Sequence, residues 1–375
     1  MPIERIKSLK DFEKNIEKTG YVLEFNVSSL LQKHGWSVIN NKYYIDDVQS
    51  AVREIDIVGY KAKIFSNFTL YTVLIISCKK SEKNCWALIS KDRDDKDPNI
   101  KWHPLHIWTN NKVFDFILNS SSFQEKYLEL IKSRQIFTEI FAPTSHIYAF
   151  QEMNKKSGAV QNDKNIFSST TSLMKAQGYE ISSLSKRKRE SCIYQFNLLS
   201  IVDTDLLEIY LDENGPNAQK IDEAKYIGNY IINNQETCVK IHFISYPALK
   251  SLLDYYDSLN DCNLEFFETH YEAFFENIML DYKKKQVFIK EFTKDIFGNI
   301  NYSLRRRNSS HENLKDLYLG WDKEKQIALI ELEISQDDID FLNSDLRVKK
   351  EISKSLNKFY HYTGEFAFSE WDIPF

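Results

Sequence analysis

The chain has 375 residues and a formal net charge of −5, which argues against a protein that coats nucleic acid by bulk electrostatic attraction. Hydrophobic residues make up 42% of the sequence, with only 10 Gly and 7 Pro, so an ordered chain with a substantial core is expected rather than a linker. The five cysteines include no C-x-x-C pair, which argues against a disulfide framework and against a ribbon-type zinc site.

The first predicted helix runs from about Tyr21 to His34 and ends at Gly35, a residue typical of helix C-caps. Its apolar stripe repeats at helical spacing and consists of Leu23, Val27, Leu30 and Leu31. Glu24 lies at the edge of this stripe, so we expect its carboxylate to face a neighbouring sheet rather than open water. Trp36 then begins the first strand, which is predicted over residues 36–39.

The next predicted strand carries two carboxylates, Glu54 and Asp56. Side chains alternate between the two faces of a strand. Glu54, Asp56 and Val58 are therefore predicted on one face, and Ile55 and Ile57 on the other. An acid at such a position is suited to holding a metal cation.

A second strand is predicted from Thr69 to Lys79, in a run that is almost continuously apolar and rich in β-branched residues. Such a run is typical of a buried central strand. By the same alternation, Ser77 and Lys79 share one face, whereas Cys78 points to the other and is expected to be a packed core residue. The polar end of this strand is thus predicted to meet Asp56. A lysine beside a metal-binding acid can orient or activate water for phosphodiester hydrolysis.

Together these segments resemble the PD-(D/E)xK restriction-endonuclease-like superfamily, in particular its Mrr-like and phage-defence branches. The segments that carry the resemblance are Leu23-Glu24-Phe25, Gly35-Trp36, Tyr43-Tyr44-Ile45-Asp46, Arg53-Glu54-Ile55-Asp56, and Leu74 to Ser81 followed by Trp86. The resemblance implies a metal site formed by Glu24, Asp56 and Lys79. It covers roughly residues 15–258, with a specific motif only in the first quarter of that span.

Ser77 is the departure from the family pattern, because that position usually holds Glu or Asp. Losing one carboxylate weakens a Mg²⁺ site, which needs near-octahedral oxygen coordination. Glu54, as a further metal ligand, and Glu82 are the candidates to supply the missing acid. The resemblance implies hydrolysis of DNA with Mg²⁺ or Mn²⁺, with RNA as an alternative substrate, in bacterial defence or DNA processing. The alternative is a nuclease fold that has lost catalysis and acts as a nucleic-acid-binding or regulatory module.

The sequence predicts an α/β fold with a mixed central sheet flanked by helices, as in restriction-endonuclease-like proteins, over residues 1–258. A smaller C-terminal α+β domain of unassigned role is predicted over residues 259–375. In that domain, helices at 266–279 and 335–360 flank three strands, predicted at Gln286–Thr293, Asn299–Arg306 and Ile327–Ile334.

Two short basic runs, Lys186–Arg189 and Arg305–Arg307, are interpreted as solvated segments. A role in phosphate contact would require one of them to lie on the same side as Asp56 and Lys79. A rival metal constellation is a zinc site formed by Cys85, His103 and His106. It is disfavoured because a proline lies between the two histidines, which we expect to be structural.

The sequence predicts no membrane segment and favours a protein that works as a dimer. The apolar run from Leu70 to Cys78 is far too short to cross a bilayer, which takes about 20 residues. The amino terminus is charged, so a cytoplasmic protein without a membrane segment is expected. Cutting both strands of a duplex normally needs two active sites, which favours a homodimer; an activating protein partner is the alternative.

Overall fold

The computed structural model describes residues 8–46, 50–232, 234–307, 314 and 316–371. The helices are α1 (Leu9–Glu17), α2 (Gly20–Lys33), α3 (Lys112–Leu118), α4 (Phe123–Lys132), α5 (Lys164–Arg187), α6 (Leu249–Phe275), α7 (Tyr282–Gln286), α8 (Ile289–Arg307), α9 (Gln336–Ser344) and α10 (Leu346–Tyr360). Within the described ranges, none of the helices combines the length and the apolar character needed to span a bilayer.

The strands lie in three sheets. They are β1 (Ser37–Ile45), β2 (Val52–Ile64), β3 (Thr69–Lys80), β4 (Asn84–Lys91), β5 (His106–Thr109), β6 (His146–Asn154), β7 (Cys192–Asp203), β8 (Leu206–Asp212), β9 (Gly215–Ile221), β10 (Glu223–Ile232), β11 (Gln235–Ser245), β12 (Leu317–Asp322), β13 (Ile327–Leu332) and β14 (Phe366–Glu370).

The chain forms two compact units, and neither is a continuous stretch of sequence. The first comprises Met1–Asn111 and Ser121–Phe266, and the second comprises Lys112–Ser120 and Phe267–Phe375. Helix α6 therefore begins in the first unit and ends in the second. The predicted domain boundary after residue 258 lies within α6 and stays a prediction.

The first unit is built on a seven-stranded mixed sheet in the order β1-β2-β3-β7-β11-β10, with β5 paired to β7. Strands β3, β7 and β11 run parallel, whereas β1, β2 and β10 pair antiparallel with their neighbours. A separate four-stranded sheet has the order β6-β4-β8-β9. The predicted α/β class with a mixed central sheet and flanking helices is confirmed.

The two faces of the central sheet are covered by different helices. The core on one face joins Leu173 and Met174 of α5 to Val73 of β3 and other sheet residues. Thr72 alternates with Val73, and its hydroxyl donates to Asn260 of α6 at 2.8 Å. On the same side, Ser28 of α2 donates to Asn40 of β1 at 2.6 Å. Helices α2 and α6 thus cover the face opposite to α5.

The second unit contains the three-stranded sheet β12-β13-β14 and helices α7 to α10. The strands predicted at Gln286–Thr293 and Asn299–Arg306 are wrong, because helix α8 covers the second segment and all of the first from Ile289 on, and Gln286 ends α7. Its buried apolar residues repeat every four positions, at Phe292, Ile296, Ile300 and Leu304. That spacing is helical, whereas each half read alone is too short to show it.

Helix α3 belongs to this second unit although it comes from the middle of the first unit's sequence. The ring of Phe114 packs edge-on against Phe267 of α6 with centroids 5.5 Å apart. Phe116 packs in the same way against Phe274, at 5.4 Å. These aromatic contacts attach an early segment of the chain to the late half of α6.

The single helix predicted from Ser335 to about Tyr360 is wrong in one respect, since the chain leaves helical geometry at Asp345. The Asp345 carboxylate accepts the backbone N–H groups of Arg347 and Val348, which begin α10, at 3.0 and 3.3 Å. It also accepts from the Ser303 hydroxyl at 2.5 Å. These bonds hold the pKa of Asp345 below its usual range, with the Ser303 hydroxyl as the main cause.

Asp345→Ala is expected to destabilise the second unit by about 0.5–2 kcal/mol, because it removes the N-cap of α10. The measurement is urea unfolding followed by circular dichroism. Asp345→Asn is the control. An asparagine oxygen can still accept the same N–H groups, so this variant should keep most of the parent protein's stability. Equal unfolding midpoints for Asp345→Ala and the parent protein would contradict the assignment of the cap.

Candidate functional site

The carboxyl ends of the parallel strands carry acids and lysines. Ligands in open α/β sheets commonly bind outside this edge. Here β3 ends at Lys80, β7 at Asp203 and β11 at Ser245. Beside the end of β3, the Lys79 ammonium nitrogen lies 3.8 Å from Oδ2 of Asp56 on β2. The structure therefore brings together the acid and the lysine that the sequence singled out.

Asp56 interrupts the pairing of its own strand. The β1–β2 ladder passes from the pair Asn40–Ile57 to the pair Lys42–Ile55. The residue in between on β1, Asn41, has φ +53° in the left-handed region. On the other side, the backbone N–H of Cys78 donates to the Asp56 carboxylate at 2.7 Å. The side chain of Asp56 thus holds the end of β3 by accepting a backbone hydrogen bond.

This interruption overturns the simple alternation predicted for β2. Ile55 and Val58 both belong to the core cluster on the α5 side, although they are three residues apart. Val58 therefore does not share a face with Asp56 as predicted. The expectation that Cys78 is a packed core residue is confirmed, since Cys78 is 4% exposed. Its thiol is buried, and burial together with the nearby charges of Asp56 and Glu24 raises the pKa of Cys78 well above its usual range.

Glu24 reaches the same place from α2. Partial burial raises the pKa of Glu24, and the negative charges of Asp56 and Glu54 raise it further, while the positive charge of Lys79 lowers it. Glu54 is exposed, and its carboxylate accepts a hydrogen bond from the amide of Asn41. The residues Glu24, Glu54, Asp56 and Lys79, named here the acid–lysine cluster, therefore share one electrostatic environment.

Ser77 lies close in sequence but is turned elsewhere. Ser77 is 4% exposed, and its hydroxyl has no hydrogen-bond partner among the residues that the structure describes. Ser77 pairs with Ser200 of β7 in the parallel ladder, and the Ser200 hydroxyl lies 2.8 Å from that of Ser169 on α5. Paired residues in a ladder point to the same face. Ser77 therefore faces α5, and its hydroxyl makes no hydrogen bond to Asp56.

Of the two acids considered as replacements for the missing carboxylate, Glu54 is the one whose negative charge raises the pKa of Glu24. Glu82 instead lines a separate cavity of about 520 Å³ at the same edge, together with Lys80, Asp203 and Asp205. Lys80 pairs with Asp203 at 3.1 Å. The sequence analysis missed this second group, although Asp203 and Asp205 directly follow a long apolar run.

The acid–lysine cluster offers few side-chain ligands for a metal ion. Among the residues that the structure describes, no group of three His, Cys, Asp or Glu side chains is positioned to hold a metal ion. The residues of the rival zinc constellation have other neighbours: His106 bonds the carbonyl oxygen of Cys238 at 3.0 Å, and Cys85 bonds that of Met153 at 3.3 Å. The carboxylates of the acid–lysine cluster are, by chemistry, ligands for a hard cation such as Mg²⁺.

The basic run Lys186–Arg189 does not lie beside the cluster. Arg187 and Lys188 line a cavity with Tyr71, which is near the amino-terminal end of β3. Lys79 is at the opposite end of that strand. In the second unit, Arg307 pairs with Asp338 at 3.0 Å.

The chain was compared with models of protein families, with curated proteins and with solved structures. None of the three comparisons finds a match.

Proposed function

We propose that this protein is a metal-dependent nuclease that hydrolyses DNA phosphodiester bonds, in bacterial defence or DNA processing. The observation that carries the proposal is the approach of Lys79 to Asp56 at 3.8 Å, at the end of a buried strand and beside the carboxylate of Glu24. Burial and the neighbouring acids raise the pKa of Glu24, and an acid with a shifted pKa among other charged groups is a candidate for function. The sequence resemblance to the PD-(D/E)xK superfamily supports the same reaction.

Asp56 and Glu24 would hold Mg²⁺ or Mn²⁺, and the exposed Glu54 carboxylate would add negative charge beside them. Burial raises the pKa of Glu24, and repulsion from Asp56 and Glu54 raises it further; a bound cation would relieve that repulsion. Mg²⁺ is commonly held by one or two carboxylates and keeps several waters, so the small number of fixed ligands fits this ion. When bound, such a cation polarises the phosphodiester and lowers the pKa of a coordinated water.

Lys79 supplies the positive charge in this scheme. Its side chain is 29% exposed, so a phosphate can reach it from solvent. There it would orient the attacking water or offset the negative charge that develops on the phosphate oxygens. Asp56 has a second role, since its bond to the Cys78 N–H fixes the carboxylate relative to the strand that carries Lys79.

The test is incubation of the purified protein with supercoiled, linear and single-stranded DNA, and with single-stranded RNA, in Mg²⁺ or Mn²⁺. We expect cleavage of DNA that EDTA abolishes. Cleavage of RNA and not of DNA would show that the substrate is RNA. Absence of cleavage, together with binding to the same nucleic acids in a gel-shift assay, would favour the alternative of a non-cleaving binding module. That alternative draws on Ser77, which stands where the family usually has an acid.

Glu24→Gln is expected to raise the free energy of unfolding of the metal-free protein by roughly 0.5 kcal/mol at pH 7, because it removes repulsion from a partly exposed acid. A raised pKa means that the folded state binds this proton more tightly than the unfolded state. The loss of stability caused by the charged Glu24 carboxylate therefore appears as the pH rises above the ordinary carboxyl range, and it is absent below that range. The measurement is urea unfolding in EDTA at pH 7 and at pH 4.

The same variant separates repulsion from metal binding. Mg²⁺ at 100 times its dissociation constant should stabilise the parent protein by about 2.7 kcal/mol, and Glu24→Gln should lose most of this gain. Glu82→Gln is the matched control and should keep it. Equal stabilisation by Mg²⁺ in the parent and in Glu24→Gln would remove Glu24 from the metal site.

A further inference from the structure

A second cavity lies on the α5 side of the central sheet, within the first unit. Its volume is about 210 Å³, and its wall is partly apolar, with Val58 and Val73 of the sheet among the lining residues. Tyr71 lines it and is eight residues before Lys79 on β3. At about 3.3 Å per residue, Tyr71 is about 26 Å from Lys79 along the strand. Glu24 of the acid–lysine cluster comes from α2, which covers the opposite face of the sheet. The cavity therefore opens on the other face from Glu24, although its lining residue Val58 is two residues from Asp56 on β2.

Aromatic side chains form one part of its wall. The rings of Tyr71 and Tyr194 are stacked, with centroids 4.3 Å apart and planes at 14°. Tyr60 is tilted against Tyr71 at 6.2 Å. All three tyrosines line the cavity. A planar ring entering here would find aromatic faces to stack on, which is how proteins commonly hold nucleobases.

Basic side chains form another part. Lys42 and Arg187 both pair with Glu180, a carboxylate that is 5% exposed, at 2.6 and 2.8 Å. Lys188 lies over the rings of Tyr71 and Tyr194, with its nitrogen 4.9 and 5.8 Å from their centroids. Three cations against one carboxylate leave a net charge of 3 − 1 = +2 around the cavity.

We propose that this cavity binds a nucleotide, with the base against the tyrosines and the phosphate against Arg187 and Lys188. Stacking faces and an excess of positive charge around one cavity match a ligand that combines a planar ring with an anionic group. Glu180 forms ion pairs with Lys42 and Arg187, and these ion pairs hold the two basic side chains in place beside the cavity. The cavity volume of about 210 Å³ is below the common range of ligand sites, about 300–1,000 Å³, so we expect one base to enter the cavity and its phosphate to stay at the rim.

The test is isothermal titration of the full-length protein, in EDTA to prevent cleavage, with AMP, GMP, CMP and UMP. We expect saturable binding of at least one of them. Lys188→Glu and Tyr71→Leu should each weaken it roughly tenfold to a hundredfold, since each removes a charged or a stacking contact. Arg189→Glu is the matched control, because it makes the same charge change one residue further along, outside the cavity lining, and should bind as the parent does.

A short single-stranded oligodeoxynucleotide distinguishes the source of the nucleotide. If a mononucleotide binds and Lys188→Glu weakens that binding, the ligand is a free nucleotide. Binding of the oligonucleotide alone, weakened by Lys188→Glu and not by Arg189→Glu, supports a nucleotide within a strand. If neither probe binds, or if Lys188→Glu binds as tightly as the parent, the proposal is overturned. Lys188 is at the cavity rim, so this variant decides the question even if Tyr71→Leu fails to fold.

Discussion

Asp56→Asn and Lys79→Ala are each expected to reduce metal-dependent DNA cleavage by roughly 100-fold or more, which is the usual cost of losing one group that stabilises charge or transfers a proton. The asparagine still accepts the Cys78 N–H through its side-chain oxygen, so the end of β3 should keep its geometry while the negative charge is lost. The measurement is the initial rate of plasmid relaxation in Mg²⁺.

Neighbouring residues provide the matched controls. Lys80→Ala removes the next lysine along the strand, which pairs with Asp203 at 3.1 Å, and Asp203→Asn removes its partner. Both should cleave DNA within about threefold of the parent protein, since a surface ion pair contributes little to stability. Full activity in Asp56→Asn and in Lys79→Ala would remove the acid–lysine cluster as the catalytic site.

Lys240→Met is expected to raise the free energy of unfolding at pH 7 by about 1–3 kcal/mol, the scale of burying a polar group with poor compensation. Lys240 is 7% exposed, and its nitrogen lies 3.9 Å from the centre of the Phe141 ring. Burial lowers the pKa of Lys240 well below its usual range, and the charge of Lys225 lowers it further. Methionine has a similar length and carries no group that needs solvation.

The effect should depend on pH in a defined direction. Because the folded-state pKa is lowered, the unfolded chain binds a proton that the folded chain does not. Stability therefore rises with pH up to the ordinary lysine value of about 10.4, and the advantage of Lys240→Met should disappear above it. The measurement is urea unfolding at a series of pH values.

Lys225→Met is the contrasting variant. Lys225 is equally buried, at 7%, but it pairs with Glu223 at 3.1 Å. Lys225→Met removes one of the two groups that favour the charged form of Glu223; His242, 3.1 Å from Glu223 Oε2, is the other. We expect a loss of stability from Lys225→Met and a gain from Lys240→Met. A loss in both would show that Lys240 is stabilised by its surroundings.

Long periodic segments made most of the fold predictable. The apolar stripe of α2 and the continuous run of β3 both satisfy a single period over many residues, so local sequence determines their type. The meeting of Asp56 and Lys79 followed from the prediction of two neighbouring strands, which the structure has as β2 and β3. Helix α8 was misread because its four-residue repeat was divided between two short windows.

The orientation of the site residues was harder to predict. Strand alternation fails at Asp56 because β1 and β2 each pass an unpaired residue at this point, and Asn41 adopts a left-handed φ. Asparagine tolerates this conformation, but nothing in the sequence requires it here. The cavity between α5 and the sheet was also out of reach, since Tyr71, Lys188 and Tyr194 are brought together only by strand pairing and helix packing.

The assignment of α3 to the second unit bears on how the protein is made. During synthesis, Lys112–Ser120 leave the ribosome long before Phe267, the ring that packs on Phe114. The second unit therefore cannot be completed until nearly the whole chain has emerged, even though part of it is available early. Likewise, a gene fragment that stops at residue 266 would carry α3 without its partner helix half, and one that starts at 267 would lack α3. Recombinant pieces of this protein should accordingly be designed as a full-length chain or with α3 rejoined to the later segment.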